Sequence, residues 1–133
     1  PGDIKKDAQK DSEEMGCFAY NMVSEDLAVA MNYSAAEMGR TESEFELAGL
    51  SSDTATLVDA PVVKDARVKY ECEYVKTVDV ANFSIVIGKV VGVTVDKSIL
   101  TDGRVDPIKA RPILRMGYMD EYGVISSAQH VQP

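Results

Sequence analysis

Ammonium groups beside a helix start can hold a phosphate, and the run Lys5-Lys6-Asp7-Ala8-Gln9-Lys10-Asp11 brings them together. Asp3 is placed to cap a helix from near Ile4, so free backbone N–H groups would point the same way as Lys5 and Lys6. The same charges also suit a solvated first turn, and spacing does not separate the two readings. A second polar cluster, Asn32-Tyr33-Ser34-Ala35-Ala36, falls where a helix would end. Asn and Ser there either satisfy local backbone groups or offer hydrogen bonds to a ligand.

Other chemistry is missing from the sequence. There is no Gly-x-Gly-x-x-Gly, P-loop or Gly-x-Ser-x-Gly. The single histidine, His130, lies in a polar tail, which leaves no Ser-His or Cys-His dyad. Cys17 and Cys72 lie far apart in apolar runs, without Cys-x-x-Cys spacing, and read as small core residues with no metal site. No catalytic residue is assigned, so an enzyme built on this chain needs a cofactor for its chemistry. The net charge of -8 repels a phosphate backbone, which argues against nucleic acid. The longest apolar run, Ile85-Val86-Ile87, breaks at once at Gly88-Lys89, so no membrane span is expected. Reduced cysteines and no secretory segment point to the cytoplasm, in a sequence that starts Pro1-Gly2 without Met.

The 133 residues fit one domain. A helix is expected up to Met15, stopped by Gly16, then a buried strand Cys17 to Val23. Ser24 is placed to cap a second helix, with Glu25 and Asp26 in its first turn and Leu27 and Met31 inward. The range 41–44 reads as polar connection and 51–65, with Pro61, as mostly loop. From Arg67 to Val78, Val68, Tyr70, Cys72 and Tyr74 alternate with Lys69, Glu71 and Glu73, which predicts a strand with the acidic residues outward. Asp79 to Asn82 turns into a second long strand, Phe83 to Val95, where Gly88 and Gly92 mark bulges or a barrel corner. Asp102-Gly103 is a turn, Asp106 caps a short helix with Pro107 at its first position, and Ile113 to Met116 is a final strand. Residues 116–133 are an arm or tail. The pattern is mainly β with attached helices, a small barrel and not a doubly wound sheet.

Several segments, in order, resemble the flavin reductase-like, flavoredoxin-type family of FMN-binding split β-barrels. They are Ser24 to Glu37 with its "AMNYSAAE", Phe45 to Leu50, and a closing motif of Asp102-Gly103-Arg104-Val105-Asp106-Pro107 followed by Arg111-Pro112-Ile113-Leu114-Arg115-Met116-Gly117-Tyr118-Met119-Asp120-Glu121-Tyr122. The resemblance runs from about Gly2 to Tyr122. The family's N-terminal strands have no counterpart here.

That resemblance implies a Greek-key split barrel of six strands, an FMN at each cleft of a homodimer, and NADH or NADPH as hydride donor. Bound flavin would take the hydride and then pass the electrons to an acceptor protein or be released as reduced flavin. It implies cofactor-binding roles for Lys5, Lys6, Ala8, Asp11, Asn32, Ser34, Arg115 and Tyr118. The family carries Lys-Asp-Thr or Lys-Asp-Ser, then x-x-Asn, where this chain has Lys6-Asp7-Ala8 and Asp11. The missing hydroxyl and the added carboxyl would weaken a phosphate site. Arg115 would meet a phosphate or the nicotinamide donor, and Tyr118 would stack on a ring. Equally, Arg115 pairs with a carboxylate and the tyrosines pack at a subunit contact. A non-catalytic FMN-binding protein, or a flavin-free dimerisation module on the same fold, is the alternative function.

Overall fold

The structure is a computed structural model that describes residues 7–34, 49–118 and 120–133. Helix α1 (Asp7–Met15) ends where Gly16 takes a positive φ of 71°, a turn that suits glycine. The chain then enters β1 (Cys17–Asn21). A 3-10 turn (Glu25–Leu27) leads into α2 (Ala28–Ser34). The expected Asp3 cap, the helix start near Ile4 and the 41–44 connection lie outside the described residues.

β4 (Val68–Val80) and β5 (Phe83–Val95) form the long antiparallel hairpin that the alternation predicted, and β1 pairs along β4 to give the order β1-β4-β5. The register slips twice. Val91 is extra opposite Glu71/Cys72, beside Gly92, and Val75 is extra opposite Gly88/Ile87. Both bulges therefore lie at the two glycines.

Three further hairpins complete the described strands. β2 (Ser52–Thr54) pairs with β3 (Pro61–Val63), where a loop was expected. Each strand has only three residues, too few for periodicity to register. β6 (Leu100–Thr101) and β7 (Arg104–Val105) close around Asp102 and Gly103, both at positive φ as a type I′ turn requires. β8 (Ile113–Arg115) is not the last strand: β9 (Tyr122–Val124) returns to pair with it, so the expected arm at 116–133 begins with a hairpin.

Between β7 and β8 lies α3 (Pro107–Ala110). Asp106 caps it as expected, accepting from the Ile108 and Lys109 N–H groups at 2.9 and 3.4 Å. Its carboxyl also accepts from Thr101 Oγ1 at 2.8 Å, and these bonds hold its pKa below the usual aspartate range. Ser24 differs from expectation. It is fully buried, but its hydroxyl donates to Asp26 and caps no backbone N–H.

The small core is Val68, Ile99 and Ala110, with Met22 and Val95 packed on it. Cys72 is buried, which raises its thiol pKa, while Cys17 is half-buried with Sγ 3.5 Å from the Asp59 carbonyl. The expected alternation fails at one place. Glu71 is only 6% exposed, whereas Tyr70 is 37% exposed and stacks obliquely on Tyr20 at 5.3 Å. Glu71 Oε1 accepts from the Leu57 and Val58 N–H groups at 2.6 and 3.3 Å, so the loop between β2 and β3 is latched over it.

Candidate functional site

Residues 22–25 run beside residues 111–113 although they are far apart in sequence. Glu25 N–H donates to the Arg111 carbonyl at 3.0 Å, Ile113 N–H donates to the Val23 carbonyl at 3.1 Å, and Ser24 bridges Pro112. Two exposed ion pairs fasten the same junction, Arg111 Nε to Glu25 at 2.6 Å and Arg67 to Asp26 at 3.3 Å. The two carboxyls that suited a helix dipole thus serve as clamps to other segments. Arg111 sits in the left-handed region at φ 45°, where the α3 helix ends.

This junction shapes a cleft of about 230 Å³. Tyr20 and Asn21 come from the end of β1, Met22 and Val23 from the segment after it and Met31 from α2; Ile113, Arg115 and Tyr122 come from the β8–β9 hairpin, and Pro112 precedes it. Asn21 is held in place because its Oδ1 accepts from Val63 N–H at 2.9 Å. Asn21, Met22, Val23 and Met31 also line a smaller apolar cavity of about 130 Å³, with Leu27, Leu50, Val63 and Ala66.

Arg115 is the predicted residue that the structure places in the cleft. Its Nη1 donates to the Tyr122 hydroxyl at 3.3 Å, and its guanidinium lies 5.9 Å from the Tyr122 ring centroid. Tyr122 orients the cation across the hairpin, where Arg115 pairs in register with it. Asn32 is exposed on α2, next to Met31 of the cleft wall. Ser34 is the last residue of α2. Tyr118 lies outside the cleft lining and is 72% exposed. Ala8 and Asp11 are exposed on α1, where the Ala8 carbonyl accepts the Ser12 hydroxyl at 2.6 Å. Lys5 and Lys6 lie outside the described residues. Sequence reasoning missed Tyr122 and Tyr20 as cleft residues. The signal for Tyr122 was the hairpin that places it opposite Arg115.

The lining is one cation, the Asn21 amide, tyrosine rings and apolar side chains, with no carboxyl and no histidine. That donor set fits an aromatic ring system that carries an anionic group. Among the described residues, no three His, Cys, Asp or Glu side chains group as metal ligands. No helix among them is long and apolar enough to cross a membrane.

Comparison with known proteins gives the same direction. The model of the flavin reductase like domain matches residues 6–109. An uncharacterized protein of Aquifex aeolicus is 34% identical over 122 residues, covering 89% of this chain and 62% of its own length. Nitrilotriacetate monooxygenase component B from Bacillus cereus superposes with a TM-score of 0.91 at 25% identity, covering 98% of this chain and 67% of that one. A putative flavin reductase with split barrel domain from Shewanella frigidimarina superposes with a TM-score of 0.84 at 27% identity, covering 94% and 64%. The chain spans about three fifths of the curated relatives it matches, 62% and 61% of their lengths. With the family model covering most of its residues and the split-barrel neighbours superposing along nearly all of it, the chain belongs to the flavin reductase-like family and has that family's split-barrel fold.

Proposed function

We propose that this chain is the FMN-binding part of a flavin reductase-type oxidoreductase that takes hydride from NADH or NADPH. The observation that carries the reading is the cleft at the β1/β8–β9 junction, in which Arg115 and Tyr122 stand over apolar walls. Bound flavin supplies the redox chemistry that the lining side chains do not have. The chain's own contribution is binding and orientation. Arg115 holds the anionic group, Tyr122 steadies Arg115, and Met22, Val23, Met31 and Ile113 keep water from one side of the ring. No general acid or base is required of the lining, in keeping with its lack of carboxyl and histidine groups.

A homodimer would bring the exposed Leu114, Met116 and Tyr118 under cover, next to the cleft. An electron-acceptor protein would be the partner that takes electrons from a flavin held here. The cytoplasm suits this assignment and the two free thiols. One observation favours the alternative of a non-catalytic FMN-binding protein or a flavin-free dimerisation module. Ala8 and Asp11 leave α1 without the family's hydroxyl and amide at the expected phosphate position.

The test is a titration of Arg115→Ala with FMN and with riboflavin, followed by flavin fluorescence. Loss of a charge-assisted hydrogen bond is expected to weaken FMN by about 10–100-fold, equivalent to about 1.5–3 kcal/mol. Riboflavin, which lacks the phosphate, is expected to change little. An equal loss for both ligands would remove Arg115 from the phosphate, and no loss for either would remove it from the site.

A further inference from the structure

The smaller cavity shares the wall of Met22, Val23 and Met31 with the cleft, but its other side is its own. Leu27, Leu50, Val63 and Ala66 line it there, each from a different part of the chain. Backbone hydrogen bonds pin these walls. Met22 N–H donates to the Val68 carbonyl at 2.9 Å, and the Val23 carbonyl accepts from Ile113 N–H at 3.1 Å. Lys64 N–H donates to the Ser51 carbonyl at 2.9 Å, and Ala66 N–H to the Val63 carbonyl at 3.2 Å. These backbone groups therefore need no water in the cavity. At about 130 Å³ the space is close to the size, about 150 Å³, at which an apolar hole stays dry and admits benzene. A fused tricyclic isoalloxazine is too large for it.

The lining among the described residues holds no charged side chain, so a charged ligand would be left unpaired there. One polar side chain, Asn21, enters it, and the orientation of that amide is fixed. Val63 N–H can only donate, so the atom it meets at 2.9 Å is Oδ1, and Nδ2 is the opposite end. Nδ2 has no hydrogen-bond partner among the described residues. It is also not sealed away from solvent-sized space, since no buried polar side-chain atom among the described residues lacks a partner. Asn21 thus offers one donor, and no second acceptor, to a molecule in the space it lines.

We propose that this cavity is a binding site for a small uncharged compound with a single ring and one carbonyl oxygen. The ring lies among the apolar side chains and the oxygen accepts from Asn21 Nδ2. The site needs no flavin, so it stands or falls apart from the cofactor reading.

The probes are acetophenone and ethylbenzene, which differ in the carbonyl oxygen and little in shape. Each is titrated into the flavin-free 133-residue chain and followed by NMR of the methyl groups. Both are expected to shift Leu27, Leu50 and Val63, with dissociation constants of about 1 mM or tighter. Ile113, which lines the cleft and not this cavity, is expected to move little. Shifts at Ile113 without shifts at Leu27 and Leu50 would put the probes in the cleft and overturn the proposal, as would no shifts at all. Asn21→Asp keeps an oxygen for Val63 N–H and replaces the donor by an acceptor. It is expected to weaken acetophenone by about tenfold and ethylbenzene by less than about twofold. An equal change for both probes would overturn the role of Asn21. If that variant does not fold, Ala66→Leu, which fills the cavity from its far side, is expected to abolish the shifts from both probes. Binding retained in Ala66→Leu would place the site elsewhere.

Discussion

Glu71→Ala is expected to lower stability by about 3–5 kcal/mol, a large share of the roughly 5–15 kcal/mol of a typical domain. Two backbone donors, Leu57 N–H and Val58 N–H, converge on one carboxyl oxygen of a side chain that is only 6% exposed. Alanine leaves both donors without their acceptor and opens a hole between β4 and the β2–β3 loop. The site is sterically committed as well. A Cβ at Gly92 would come within 3.1 Å of Glu71 Oε2 and 2.9 Å of Leu57 Cδ1, so a side chain there would press on the ends of the two side chains at the latch. Glu71→Gln keeps a carbonyl oxygen and is expected to cost about 1 kcal/mol, the net value of an ordinary hydrogen bond. Urea unfolding of the three proteins checks this. Equal midpoints for Ala and Gln would mean that the latch contributes nothing specific.

Gly88→Ala is expected to cost about 1–3 kcal/mol through overpacking alone, a fall in melting temperature of roughly 4 °C per kcal/mol. An added Cβ would lie 2.5 Å from both Cε1 and Cζ of Phe18 and 3.1 Å from the Glu73 carbonyl oxygen. Gly88 does not have a positive φ, so space and not backbone conformation excludes the side chain. Phe18 belongs to β1, whose end carries Tyr20 and Asn21 into the cleft, so relief of the clash by tilting β1 would disturb the cleft wall. Phe18→Leu makes room. Combined with Gly88→Ala it is expected to cost less than the two single changes together, as contacting residues do in a double-mutant cycle. Strict additivity would place the strain elsewhere.

The β4–β5 hairpin was legible because its period-two pattern is long and because Gly88 and Gly92 mark both bulges. The Asp102-Gly103 turn and the Asp106 cap were legible because each rests on one local residue type. Glu71 was not. Alternation assigns a glutamate to water, and only a loop returning from residues 57–58 reverses that assignment. Ser24, Glu25 and Asp26 do start a helical turn, as their types predict, but the Ser24 hydroxyl bonds to Asp26 and not to a backbone N–H, and the two carboxyls are drawn to Arg111 and Arg67, partners that lie 86 and 41 residues away. Arg115 was legible within the closing motif, but its partner Tyr122 needed β9, which a three-residue strand after a polar turn does not announce. Tyr118, expected at the site or at a subunit contact, is exposed beyond the end of β8.

The visible absorption spectrum of the purified protein, taken after incubation with FMN and desalting, tests the central claim most directly. A retained flavin band, bleached on anaerobic addition of NADH or NADPH, is the predicted result. A colourless protein would contradict flavin binding by this cleft and leave the dimerisation module as the function of the fold. A band that persists with either nicotinamide would contradict the reductase reading and leave FMN binding without turnover.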